Sequence, residues 1–212
     1  MQGSGAGAVF AIGPEIDRED LGQQALLVLF ALVRDVQARG GVLVHGALAE
    51  LGGEGVVLAG KSEAGKTTAS RRLRPPWRSL CDDTTLLLRD GDGAWRAHPW
   101  PTAGDVPPEG GVKSWDVQHS VPLRGIFFLE QGSREVSRRL GEAEALCLLV
   151  ETAEQASWPL NHGRGGEEEK AREQRLQRFD NLASLVRDVP SHRLEVSPSG
   201  PFWKTIEETL AG

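Results

Sequence analysis

The sequence predicts an α/β fold with a mixed sheet and flanking helices, and three observations predict it. Apolar runs of strand length alternate with helix-period segments along most of the 212 residues, which is the pattern of α/β folds. Two short turns, Leu51-Gly52-Gly53-Glu54 and Asp90-Gly91-Asp92-Gly93, read as hairpins and place antiparallel neighbours in the sheet. A glycine-bounded loop, Gly60 to Thr67, stands between an apolar strand and a helical segment.

The elements follow in order. Residues Met1 to Pro14 are small and Gly-rich and are expected to be loose. Asp17 to Arg39 reads as a helix. Leu26, Phe30 and Val33 recur at helical spacing, Asp17 and Asp20 charge its start, and Gly40-Gly41 ends it. Leu27, Leu29 and Leu32 widen its apolar stripe, which predicts burial on more than one side. Val42 to Ala49 and Gly55 to Ala59 read as paired strands, and Ser62 to Arg74 as a cationic helix stopped by Pro75-Pro76. Trp77 to Asp82 is the next strand, then Thr84 to Arg89 and Ala94 to His98 as a hairpin. Arg124 to Glu130, with Ile126-Phe127-Phe128-Leu129 at its centre, has the continuous apolar run of a buried strand. Ala143 to Trp158 is helical, Gly163 to Glu169 a solvated loop, and Ala171 to Asp188 an amphipathic helix with Phe179, Leu182 and Val186 on its apolar stripe. His192 to Val196 is a short strand and Phe202 to Leu210 the last helix.

Pro99 to Pro122 fits neither period. It is rich in Pro and Gly and carries Trp100 and Trp115. Loops this long inside a domain tend to be functional, so Gly104 to Val117 is expected to contact a peptide or protein, with the two tryptophans as anchors.

Charge and composition narrow the class. Twenty-four basic against thirty acidic residues leave a net charge of −6, which argues against a general grip on nucleic acid. Cys81 and Cys147 are too few and too distant for a disulfide framework or thiolate metal site. No apolar run reaches the ~18 residues of a membrane span, and the start lacks the basic and apolar blocks of a signal peptide. The expectation is one cytoplasmic domain over residues 1–212, without nucleic-acid or membrane partners.

Gly60-Lys61-Ser62-Glu63-Ala64-Gly65-Lys66-Thr67 matches G-x-x-x-x-G-K-[ST]. The glycines permit a backbone that turns successive N–H groups toward a phosphate. Lys66 supplies a charge for β- and γ-phosphates, the Thr67 hydroxyl can ligate Mg²⁺, and Thr68 follows as a further hydroxyl. Together these nine residues are the candidate nucleotide-binding segment for ATP or GTP. Glu63 is discordant, since an acid inside the loop repels phosphate unless it points outward.

Transfer chemistry needs a metal partner and a base. Asp82-Asp83 follow a strand whose C-terminal end emerges beside the loop if the two strands run parallel. One carboxylate can hold Mg²⁺ while the other accepts a proton, and residue types alone leave the assignment open. Glu130 is a rival acid at a strand end, His45 a candidate in the strand before the loop strand, and Arg71, Arg72 and Arg74 further candidate phosphate contacts.

Taken together, His45-Gly46, the short hairpin, Gly60 to Thr67 and Asp82-Asp83 resemble the HPr serine kinase catalytic domain and its phosphate-loop carboxykinase relatives. His98-Pro99-Trp100-Pro101-Thr102, Trp115-Asp116-Val117-Gln118 and Pro122 to Gln131 extend the likeness to the HPr-kinase-like proteins of SynChlorMet gene cassettes, which resemble peptide-modification systems. The resemblance implies an HPr-kinase-type phosphate-loop fold, with His45 and Asp82 handling protons, Asp83 with Thr67 holding Mg²⁺, and Lys66 on phosphate. Lys61 and Glu63 depart from the residues usual around the loop serine. The separate N-terminal domain and HPr-docking segment of HPr kinases have no counterpart here, so HPr itself is not the expected acceptor.

The function these features imply is transfer of the γ-phosphoryl group of ATP to a hydroxyl, plausibly serine of a peptide or protein. A catalytically silent nucleotide-binding partner protein and a small-molecule kinase are the alternatives. Oligomeric state is left open, with a homo-oligomer allowed.

Overall fold

The computed structural model describes residues 32–61, 64–100, 116, 118–161 and 168–212. Helix α1 covers 32–38 and turns through Gly40, whose φ of 85° suits the absence of a side chain. The remaining elements are β1 (Val42–Leu51), β2 (Glu54–Ala59), α2 (Lys66–Arg72), β3 (Arg78–Cys81), β4 (Thr84–Arg89), β5 (Trp95–Pro99) and β6 (Val121–Gln131). Then come β7 (Val136–Arg139), α3 (Glu142–Asn161), α4 (Glu168–Asp188), β8 (Ser191–Val196) and α5 (Phe202–Ala211).

The sheet is mixed, as expected. β1 pairs antiparallel with β2 through a Gly52-Gly53 turn whose residues have φ of 61° and 87°. β2 runs parallel to β6, and β6 parallel to β8. β3 pairs antiparallel with β1, so it points the same way as β2. β4 and β5 form the second hairpin and join the first half of β1 to the start of β6.

β1 therefore changes partners along its length. Val42 to His45 pair with β4, whereas Gly46 to Leu51 pair with β2 and Leu48 to Glu50 also face β3. The change falls between His45 and Gly46. A Cβ on Gly46 would lie 2.7 Å from Val57 Cγ1 and 3.2 Å from the Leu58 carbonyl oxygen, so close packing of the two strands there depends on glycine.

Alternating side chains divide the core between the two faces of the sheet. Val57, Ala59, Ile126 and Phe128 pack with Leu149, Ala153, Leu182 and Leu185 of α3 and α4. Val56, Leu58, Phe127 and Leu129 pack with Ala69 of α2 and with Phe202 and Ile206 of α5. Asn181 ties α4 to the α1–β1 turn, its buried amide donating to the Gln37 and Gly41 carbonyls at 2.8 and 3.0 Å.

The structure corrects several expectations. Leu32, expected to widen the apolar stripe, is 45% exposed, while Val33 and Val36 of α1 are buried. On α4 the inward positions are Asn181, Leu182 and Leu185, which rotates Phe179 outward to 48% exposure. Strand β7 was not expected. It is a four-residue edge strand of sequence Val-Ser-Arg-Arg with no buried position, so no apolar alternation announces it. Trp100 is buried against Val33 and Leu43, so it serves the core and not a partner. Residues 1–31, Ser62, Glu63, 101–115, Val117 and 162–167 lie outside the described residues, and with them the expected loose start, most of the first helix, Trp115 and the Gly-rich loop before α4.

Phe127 is completely buried in β6, and its ring stacks on His192 with centroids 5.1 Å apart. Truncation removes that packing and leaves a cavity between β6 and α5. Phe127→Ala is expected to lower unfolding stability by about 3–5 kcal/mol, read from the urea midpoint at constant slope.

Candidate functional site

The sequence Val56-Val57-Leu58-Ala59 folds as a wholly buried strand, and its C-terminal end delivers the loop beginning at Gly60. Gly60 has a φ of 152°, and a Cβ there would sit 2.9 Å from Ala64 Cβ and 3.4 Å from the Leu129 carbonyl oxygen. Gly65 has a φ of 94° and open space around it. Both glycines are thus required, one by crowding and conformation and the other by conformation alone.

Lys66 is the first residue of α2 and only 6% exposed. Its ammonium donates to the Gly60 and Lys61 carbonyls, both at 2.8 Å, and so closes the loop across its base. Burial pushes its pKa below the ordinary lysine value, and the Asp83 carboxylate offsets part of that shift. α2 has just seven residues, so Lys66 rather than a helix dipole supplies the positive charge.

The change of partner in β1 brings the other polar groups here. His45 stands opposite Thr84, directly after Asp82-Asp83, which connect β3 to β4. His45 Nδ1 lies 3.3 Å from Asp83 Oδ1, and Asp83 Oδ2 accepts from the Thr84 hydroxyl at 2.8 Å. Asp82 is buried at 6% exposure. The Thr85 hydroxyl donates to the Gly46 carbonyl at 2.8 Å and locks β4 to the crossing point.

His45, Gly65, Lys66, Thr67, Thr68, Asp82 and Asp83 line one cavity of about 330 Å³. Burial and the nearby Lys66 ammonium lower the His45 pKa below 6.5, while Asp83 acts in the opposite sense. The imidazole is therefore neutral at physiological pH.

Other candidates lie elsewhere. Glu130 ends β6 on the far side of the loop, where it accepts from Arg193 at 2.6 Å. Arg72 donates to the Ser197 carbonyl at 2.8 Å and stacks over Phe202, so it braces α2 against α5. Neither Arg71 nor Arg74 lines the cavity. Lys61 pairs with Glu151 of α3 at 3.6 Å and borders a second cavity with Glu130. That second cavity was not foreseen. The apolar strand running into Glu130-Gln131 beside the loop is the sequence signal that marks it.

The oxygen donors present fit a hard divalent cation, which takes one or two carboxylates and leaves positions for phosphate and water. Among the described residues no group of three His, Cys, Asp or Glu side chains is gathered that could hold a metal ion. No helix among the described residues is long and apolar enough to cross a membrane.

The model of the family described as SynChlorMet cassette protein ScmC matches residues 13–211, and the chain belongs to that family. No curated protein matches it. Among solved structures, the HPr(Ser) kinase/phosphatase from Coxiella burnetii is similar at 11% identity, covering 80% of this chain and 93% of that one, with a TM-score of 0.38.

The opposed influences on His45 give a prediction with a definite sign. Lys66→Met removes a charge that disfavours imidazolium and should raise the His45 pKa. Asp83→Asn removes one that favours it and should lower the pKa further. Ring-nitrogen NMR titration of both variants reads the two directions, and shifts of the same sign would contradict the geometry.

Proposed function

We propose that this member of the ScmC family is a phosphotransferase that moves the γ-phosphoryl group of ATP to a hydroxyl, with serine of a peptide or protein as acceptor. One observation carries the reading. Lys66, Thr67 and Thr68 share a cavity with His45, Asp82 and Asp83, although the six come from three separate stretches of chain.

In this reading the ammonium of Lys66 exchanges its two carbonyl partners for β- and γ-phosphate oxygens. Thr67 and Asp83 would hold Mg²⁺, which when bound supplies charge neutralisation on the phosphates. Asp82 accepts the proton of the acceptor hydroxyl as its oxygen attacks the γ-phosphorus. A new O–P bond forms, the bond from that phosphorus to the β,γ-bridging oxygen breaks, and ADP departs with the electron pair. His45 is neutral and held against Asp83, so it orients that carboxylate and can take up a released proton.

Glu63 in the loop favours a second reading, a protein that binds nucleotide without transferring it and serves a peptide-modifying system. Two variants separate the readings. Lys66→Ala should weaken Mg·ATP binding strongly by calorimetry while leaving the fold intact. Asp82→Asn should keep binding and lower transfer by ~100-fold or more. Unchanged affinity in Lys66→Ala would remove the nucleotide assignment. Binding by the parent chain with no transfer to peptide, protein or free serine would favour the silent partner, and transfer to a small alcohol alone would favour a small-molecule kinase.

A further inference from the structure

The loop separates two cavities of unlike chemistry. The one containing His45 and Asp82 is lined by ionic and hydroxyl groups. The other, about 340 Å³, lies at the C-terminal end of β6 and has Ala64, Phe128, Leu129 and Leu148 in its walls. Lys61, Glu130, Gln131 and Arg193 are its polar lining residues. That volume falls in the range of small-ligand sites, about 300–1,000 Å³.

The loop contributes residues to both. Gly60 and Ala64 belong to the loop and line the second cavity, while Gly65 and Lys66 line the first. Strand pairing produces this arrangement. Ala59 is in register with Phe128 of β6 on one side and with Gly46 of β1 on the other, so the loop emerges between the two strands. The chemistry of the two cavities matches a ligand with an anionic end and an apolar planar end.

We propose that the second cavity holds the nucleoside of the bound nucleotide, with the base against Phe128 and Leu148 and the Glu130 carboxylate accepting the ribose hydroxyls. This assignment rests on the reading of the loop as a nucleotide site. The polyphosphate then crosses the loop and ends at Lys66 and Asp82. Glu130 suits its part because Arg193 holds the carboxylate by a 2.6 Å bond, yet the side chain is 55% exposed and open to further donors. Arg193 is itself steadied by Glu144 at 2.8 Å, so the pair is braced from α3. A carboxylate fixed in this way accepts two vicinal hydroxyls, which neither an apolar base pocket nor a phosphate pocket would do.

The test measures Mg²⁺-dependent affinities for ATP, 2′,3′-dideoxy-ATP and inorganic tripolyphosphate by calorimetry. The parent should prefer ATP to the dideoxy analogue by about tenfold, and Glu130→Ala should lose that preference. Leu148→Ala, a helix-compatible truncation on α3, should weaken ATP roughly fivefold. Both variants should keep the parent's affinity for tripolyphosphate. A parent without preference for ATP over its dideoxy analogue, a preference surviving Glu130→Ala, or equal losses for ATP and tripolyphosphate would overturn the assignment. Lys66→Ala reports on the loop separately. It should weaken all three ligands, and if it weakens none the loop reading fails and the nucleoside site fails with it.

Discussion

The candidate site depends on a single topological constraint, the change of strand partner in the middle of β1. Up to His45 the strand is hydrogen-bonded to β4, and from Gly46 onward it is bonded to β2. The C-terminal end of β2 and the Asp82-Asp83 connection both converge on that point. A side chain at position 46 would force β1 and β2 apart and carry the glycine-bounded loop away from His45. Ligand sites in open α/β sheets form where strand order diverges, and here the divergence lies within one strand.

The electrostatics of the site follow from that convergence. A buried ammonium is costly unless it is satisfied, and Lys66 is satisfied by two loop carbonyls and the field of Asp83. The two carbonyl bonds tie Lys66 to the start of the loop, at Gly60 and Lys61. Burial, and after it the same Lys66 charge, lowers the His45 pKa, which favours a neutral imidazole beside the Asp83 carboxylate. An anionic ligand joining this group would replace dipoles around Lys66 with full charges, which ties loop geometry to occupancy.

Much of this was legible in the sequence where the local signal and the tertiary outcome coincide. The glycine pair in the first hairpin has positive φ, and the continuous apolar runs of β2 and β6 give each strand two buried faces. Residue type and spacing single out the loop motif and the Asp82-Asp83 pair, and the structure brings the two to one cavity. What escaped depended on partners remote in sequence. The outward rotation of Phe179 is set by Asn181 docking on the α1–β1 turn, and β7 is held by β8 with no apolar pattern of its own. Trp100 read as a partner anchor because it stands among Pro and Gly, but Val33 and Leu43 enclose it. The second cavity needs β6 to lie beside the loop strand, which spacing alone does not specify.

The central claim is that three separate stretches of chain converge on one phosphate. The most direct measurement is a crystal structure of the protein with Mg²⁺ and a non-hydrolysable ATP analogue. The account predicts the terminal phosphate in the cavity of His45, Asp82 and Asp83, with the Lys66 ammonium moved from its carbonyls onto phosphate oxygens. It also predicts that Asp82 faces open space beside the terminal phosphorus. A nucleotide bound away from this cavity, or an Asp82 carboxylate covered by protein with the phosphates in place, would contradict it.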